Sequence, residues 1–184
     1  RPVRMGGTLY WDFPFLFAEL LATLRKCAER GITLSGIGVD TWGVDFGLLG
    51  ADDRLLGNPV HYRDSRTDDV MPWLFQRVPQ EEIYRQTGIQ FMSLNTVFQL
   101  LAIKNKRPHI LERADKMLFL PDLFTYMLTG KKVTEYSIAT TSQMVDLKTR
   151  GWSETVLEKF GIPARLLNEI VPSGVADLSL AETL

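Results

Sequence analysis

An α/β layer, with helices packed against a sheet, is the fold class that the sequence predicts, and three observations carry it. A short strand-like run, Thr8-Leu9-Tyr10-Trp11, leads into a strongly periodic helix. A second run, Val44-Asp45-Phe46-Gly47-Leu48-Leu49, reads as more strand after that helix. From Ser65 to Thr129 the texture turns mostly helical. Strand, helix and strand in that order fit helices lying on a sheet.

The first helix is the clearest element. Asp12 is placed as its N-cap, with Pro14 in the first turn. Leu16, Phe17, Leu20, Leu21, Leu24, Cys27 and Ala28 repeat at helical spacing, opposite Glu19, Arg25 and Lys26. Gly31 closes it. Leu34 to Val39 is a short run rich in Ile, Val and Gly, and Gly50 to Asp53 turns the chain into Arg54-Leu55-Leu56. Pro59 to Tyr62 is another candidate strand. Helical segments are predicted near 67–77, 80–86, 95–105, 108–114 and 121–129, with Lys116 to Phe119 as a short strand between two of them. Ser153 caps a last helix through Val156, Leu157 and Phe160, which Gly161 ends, and Pro163 starts one further turn.

Composition limits the function classes. The 184 residues are 45% hydrophobic and 10% aromatic, enough for a packed core. Lysine plus arginine is 21 against 22 acidic residues, a net charge of −1. That balance gives no electrostatic footprint for nucleic acid or an acidic membrane. No apolar run approaches the roughly 18 residues that a membrane span needs. Cys27 stands alone, which points to a reducing, cytoplasmic setting, and its place on the apolar helix face predicts a buried structural thiol. The opening Arg-Pro-Val-Arg lacks an initiator methionine, and the expectation is a polypeptide trimmed or shown in part.

The chemistry-bearing residues fall into a few clusters. No G-x-x-x-x-G-K-[ST] loop is present, and Gly6-Gly7 is too meagre to cradle a phosphate. Two histidines, His61 and His109, and one cysteine give a poor ligand supply for a transition metal. Asp40-Thr41-Trp42-Gly43-Val44-Asp45 gathers two carboxylates, a hydroxyl, an indole and a glycine around a strand end. Ligands of α/β sheets bind beyond such ends; a glycine lets them approach and an indole offers an apolar face to a sugar ring. The same residues also suit a tight turn in which both aspartates cap amides and Trp42 fills the core. In Tyr62-Arg63-Asp64-Ser65-Arg66-Thr67, two arginines flank an aspartate; they can fork onto hydroxyls or carboxylates, or simply flank a capped helix start. Asn95, ahead of Thr96, can present its amide to a ligand or cap a helix. Asp115, Asp122 and Glu135 have no visible partner and are assigned to surface or capping roles.

Taken together, these clusters resemble a known family. Gly36-Ile37-Gly38-Val39-Asp40-Thr41-Trp42-Gly43-Val44-Asp45-Phe46, Tyr62 to Thr67, and Gly88-Ile89-Gln90-Phe91 with Asn95-Thr96 follow in register. Leu120-Pro121-Asp122-Leu123-Phe124, Leu128-Thr129-Gly130, Glu135-Tyr136 and Ala139-Thr140-Thr141-Ser142-Gln143 continue the series. In order and spacing they are similar to the rhamnulokinase group of the FGGY carbohydrate kinases, over nearly the whole chain, with a weaker match in the first ten residues and after about Pro172.

The resemblance implies two domains of the ribonuclease-H-like, actin-like ATPase type, with sugar and nucleotide meeting in the cleft between them. It implies transfer of the ATP γ-phosphate, with Mg²⁺, to the 1-hydroxyl of L-rhamnulose in L-rhamnose catabolism. Residues 1–184 would then be a partial N-terminal sugar-binding domain carrying a helical insertion over about 67–129, and the partner a small-molecule ketose. The family's sugar-contacting glycine maps to Gly43, and neighbouring positions add Trp42 and Asn95. Nothing here matches the family's glycine- and serine-rich phosphate turn, its catalytic aspartate in a His-Asp-Thr stretch, or its C-terminal nucleotide-binding domain. No catalytic, cofactor or metal residue is therefore assigned, and the segment alone is expected to be inactive and sticky. A kinase for xylulose or fuculose, or a non-catalytic sugar-binding module, stays open beside this reading.

Overall fold

The chain enters through a hairpin. Strands β1 (Pro2–Met5) and β2 (Thr8–Trp11) pair antiparallel in a computed structural model that describes residues 2–174 and 179–180. Gly6 and Gly7 turn the hairpin with φ of 53° and 85°, the sign that a tight two-residue β-turn needs at both positions. Asp12 then caps α1 (Phe13–Glu29) by accepting from the Phe15 amide. The helix ends with Gly31 N–H donating to Ala28 O and Ile32 N–H to Cys27 O, the paired bonds of a Schellman close. Of the apolar face of α1 only Phe13 is fully buried; Leu16, Phe17 and Leu20 are half-covered. Cys27, predicted to be buried, is half-exposed for the same reason.

The run from Leu34 to Val39 forms no strand. Among the described residues no strand pairs with it, and it lies largely open to solvent, with Ile37 at 40% exposure. Pairing begins only at β3 (Phe46–Gly50), which is buried throughout and antiparallel to β4 (Ala114–Phe119), with Phe46 opposite Phe119. The turn after β3 folds Leu55 back against Leu49. The predicted strand at Pro59 to Tyr62 is a single rung instead: Trp11 N–H donates to Pro59 O and His61 N–H to Leu9 O, each at 2.9 Å.

The helical stretch holds a 3-10 turn (Ser65–Thr67), α2 (Val70–Phe75), α3 (Gln80–Thr87), α4 (Thr96–Lys106), α5 (Pro108–Arg113) and, after β4, α6 (Leu120–Thr129). The first predicted helix, 67–77, is thus split between a turn and the shorter α2. Beyond Gly130, β5 (Thr134–Glu135) leads into α7 (Tyr136–Thr140). Helix α8 (Glu154–Phe160) and a turn at Ala164–Leu166 follow, and β6 (Ile170–Val171) pairs parallel with β5.

Helix α4 is the centre of the larger core. Its residues Thr96 to Ala102 are all buried, with Val97, Phe98 and Leu100 fully so. A helix covered on every side can be apolar on every side, which is why its sequence shows little amphipathic contrast. A smaller core joins α1 to the β3–β4 pair and α6 through Phe13, Leu49, Leu118, Leu123 and Phe124. Among the described residues no helix is long and apolar enough to cross a membrane.

Candidate functional site

The turn ahead of β3 is held in an unusual backbone shape. Asp45 N–H donates to Gly43 O across Val44, whose φ is 68°. A hydrogen bond spanning one residue at positive φ is a rare and strained turn, and a β-branched residue is poorly suited to it. Three contacts over-determine the shape. Val44 N–H donates to Thr141 Oγ1 at 3.0 Å, and Val44 O accepts from Thr96 Oγ1 at 2.7 Å and from Gln99 Nε2 at 3.3 Å. Strain of this sort persists only where the surroundings enforce it.

Gly43 itself is half-exposed. A Cβ at this position would lie 3.2 Å from Thr141 Cγ2. Lack of a side chain thus lets Thr141 close on the turn and reach the Val44 amide.

Asp45 organises the other side of the turn. Its carboxylate is fully buried. Oδ2 accepts from Trp11 Nε1 (2.5 Å), Trp42 Nε1 (3.1 Å) and Tyr62 N–H (3.2 Å), while Oδ1 accepts from Gln99 Nε2 (3.2 Å). Burial pushes its pKa above the ordinary 3.8, and the hydrogen bonds from Trp11, Gln99, Trp42 and Tyr62 oppose the rise. The two indoles it draws together pack at 4.0 Å between ring centroids, and Trp11 stacks in turn on His61 at 4.1 Å. Trp42 is consequently half-buried, with its N–H occupied and a face against Trp11.

Asn95 lies at the start of α4 and is 1% exposed. Its Oδ1 accepts from Met92 N–H at 2.8 Å and its Nδ2 donates to Thr141 O at 3.0 Å. Both ends of the amide are spent on backbone partners. The expectation of an amide presented to a ligand gives way to one that fixes Thr141 and, through it, the turn.

The three residues picked from sequence are therefore brought into one assembly: Gly43 and Asn95 meet at Thr141, and Trp42 joins them through Asp45 and Gln99. Sequence reasoning passed over Thr141, Thr96 and Gln99 as members of it. Gln99 was detectable as the lone polar residue in the otherwise apolar run from Val97 to Ile103 of α4.

Two cavities flank the region. One, of about 960 Å³, is bordered by Gly36 to Asp40, the C-terminal part of α1, and α6. Asp122, assigned to a surface or capping role from sequence, lies buried in its wall, with Oδ1 accepting from Glu135 N–H at 3.2 Å and Oδ2 without a partner among the described residues. Burial pushes the Asp122 carboxyl up to about 7, against the opposing hydrogen bond from the Glu135 amide. Glu135 does cap, accepting from the Ser137 and Ile138 amides at the start of α7. The second cavity, of about 310 Å³, lies between residues 56–60 and the pair α4–α5. Neither is lined by Trp42, Gly43 or Asn95. Among the described residues no three His, Cys, Asp or Glu side chains cluster closely enough to hold a metal ion.

Comparison with known proteins gives the family and the fold. The chain is 42% identical over 168 residues to a rhamnulokinase of Halalkalibacterium halodurans, a match covering 91% of this chain and 36% of that protein. It is 44% identical over 160 residues to a rhamnulokinase of Bacteroides thetaiotaomicron, covering 87% and 33%. The chain thus spans about a third of the length of these relatives. The crystal structure of a gluconate kinase from Lactobacillus acidophilus superposes with a TM-score of 0.85 at 22% identity, over all of this chain and 38% of that one. That likeness shows the fold, part of a mixed α/β domain of the actin-like ATPase type. Residues 4–177 match the N-terminal domain of the FGGY family of carbohydrate kinases, and the chain belongs to that family.

Proposed function

We propose that this chain forms part of the sugar-binding lobe of an ATP-dependent ketose kinase, and that the whole polypeptide phosphorylates the 1-hydroxyl of L-rhamnulose. In this reading residues 1–184 are a portion of the N-terminal domain, and the phosphate-binding turn, the catalytic base and the C-terminal nucleotide-binding domain come from elsewhere in the polypeptide. ATP with Mg²⁺ supplies the phosphoryl group when bound. The present residues shape the sugar pocket.

The observation that carries the reading is the enforced turn at Gly43–Asp45. Two hydroxyls and an amide from α4 and the 141 region hold a strained backbone in place, with the half-exposed Gly43 next to the strained Val44. Pre-set backbone of this sort suits a surface that a ligand must approach closely. The half-exposed Gly43 offers bare backbone to the sugar while Thr141 fills the space beside it, Trp42 offers the edge of its ring system, and Asn95 acts at one remove by fixing Thr141. The choice of L-rhamnulose rests on the two rhamnulokinase relatives and on the Thr41-Trp42-Gly43 sequence of the turn. The fold does not choose among sugars, since the solved structures that share it include kinases named for gluconate and for xylulose.

Phosphorylation assays of the full-length polypeptide against L-rhamnulose, xylulose and fuculose test the reading. L-Rhamnulose is expected to have the highest kcat/KM, and preference for either other ketose overturns the substrate. In the same assay Gly43→Ala is expected to raise the sugar KM about tenfold, a loss near 1.4 kcal/mol of binding. An unchanged KM removes Gly43 from the pocket. Absence of phosphoryl transfer to any sugar, with sugars still raising the melting temperature, identifies a binding module instead.

A further inference from the structure

Arg66 belongs to a sequence cluster that the sugar reading leaves unused. It lies within the 3-10 turn, where Asp64 caps the backbone by accepting from its amide. The guanidinium is largely withdrawn from water, and burial pushes it down to about 10. Nη2 donates to Gln99 Oε1, whereas Nε is buried without an acceptor among the described residues. Among the described residues no carboxylate stands within ion-pair distance of it. A buried cation without a counter-charge in contact is costly, and natural structures normally supply one.

The wall in which Arg66 sits is that of the 310 Å³ cavity. Lys106, Arg107 and Arg113 line the same cavity, giving four permanent cations in all. Asp64 and Asp45 bear on the Arg66 charge from beyond contact distance, and Arg107 opposes them more weakly. Asp64 is the one carboxylate among the lining residues, and its two oxygens already accept from the Leu9 and Arg66 amides. Phe46, Leu48, Ile103 and Ile110 supply apolar wall. The volume is at the lower end of that found for sites that enclose small organic ligands. A bare inorganic anion would answer the charge and leave the apolar wall facing water.

We propose that this cavity binds a small organic anion, with its acidic group on Arg66 and its apolar body against Phe46, Leu48 and Ile110. The site is separate from the Gly43 turn and independent of which sugar the enzyme uses. Gln99 links it to the sugar assembly, bonding Arg66 on one side and Asp45 on the other.

The test is equilibrium dialysis of the full-length polypeptide with 2-naphthoate and with its uncharged isostere 2-naphthamide, each in the presence of saturating Mg-ADP and sugar. Naphthoate is expected to bind one to one, about tenfold or more tighter than the amide. The double variant Lys106→Glu/Arg113→Glu changes only exposed side chains and is expected to weaken naphthoate by a similar factor while leaving the amide unaffected. Equal binding of acid and amide, no saturable binding, or displacement of naphthoate by an equal concentration of inorganic phosphate overturns the proposal.

Discussion

Asp122 shows how one side chain can set a protein's response to pH. Its carboxyl is pushed up to about 7 by burial, while in the unfolded chain it titrates near 3.8. Between those values the folded state keeps a proton that the unfolded state releases, so stability falls as pH rises through that window and levels off above it. Asp122→Asn removes the titration without changing the shape. In urea unfolding of the full-length polypeptide, the two proteins are expected to match near pH 4. The variant is then expected to gain on the order of 3 kcal/mol by pH 8. A difference that is constant across pH contradicts the assignment. Asp122 could not be recognised as buried from its surroundings in sequence, because the cavity wall that encloses it also draws on residues 36–40 and the C-terminal part of α1. Asp45 was hidden in the same way: the donors on its carboxylate come from residues 11, 42, 62 and 99. Composition flagged the turn but could not decide between a capping aspartate and a hub for two indoles.

Among elements, those whose determinants are local were legible. Helix α1 announces itself through the Asp12 cap, the apolar period and Gly31, and α8 does so through Ser153 and Gly161. Strands depend on partners, and there the sequence misleads. The run from Leu34 to Val39 has strand composition and stays unpaired, whereas β1, exposed at every position, had no alternation to reveal it. The Gly6-Gly7 pair was the signal for that hairpin. Helix α4 was legible in extent, but its role was not. Its first turn delivers Thr96 and Gln99 to Val44 O, while Thr141 takes the Val44 N–H from the other side. Both hydroxyls act on one residue, so their removal should not be additive. Thr96→Val is expected to cost about 1–3 kcal/mol by leaving a buried carbonyl under-satisfied. The double variant with Thr141→Val is expected to cost less than the sum, because the strained turn relaxes once either clamp is lost. Strict additivity in denaturant unfolding contradicts a jointly held turn.

At the scale of the whole molecule, the described residues leave one face open. Ile32, Leu34 and Ile37 are exposed at 50%, 45% and 40%, beside the half-covered apolar side of α1. Unpaired extended backbone next to apolar surface is a template for association. The 184-residue chain alone is expected to elute as a self-associated species in size-exclusion chromatography, and Ile37→Lys to shift it toward the monomer. A cooperatively melting monomer without that substitution contradicts this. The turn at Asp45 is as tightly determined as this face is loose. There, the shared carboxylate of Asp45 holds Trp11 and Trp42 at 4.0 Å between centroids. Rings that close exchange electronic excitation, and their skewed, 33° mutual orientation makes the exchange chiral. The molecule therefore carries its own optical gauge, a paired positive and negative band in circular dichroism, which registers any loosening of the Gly43 turn without an added label.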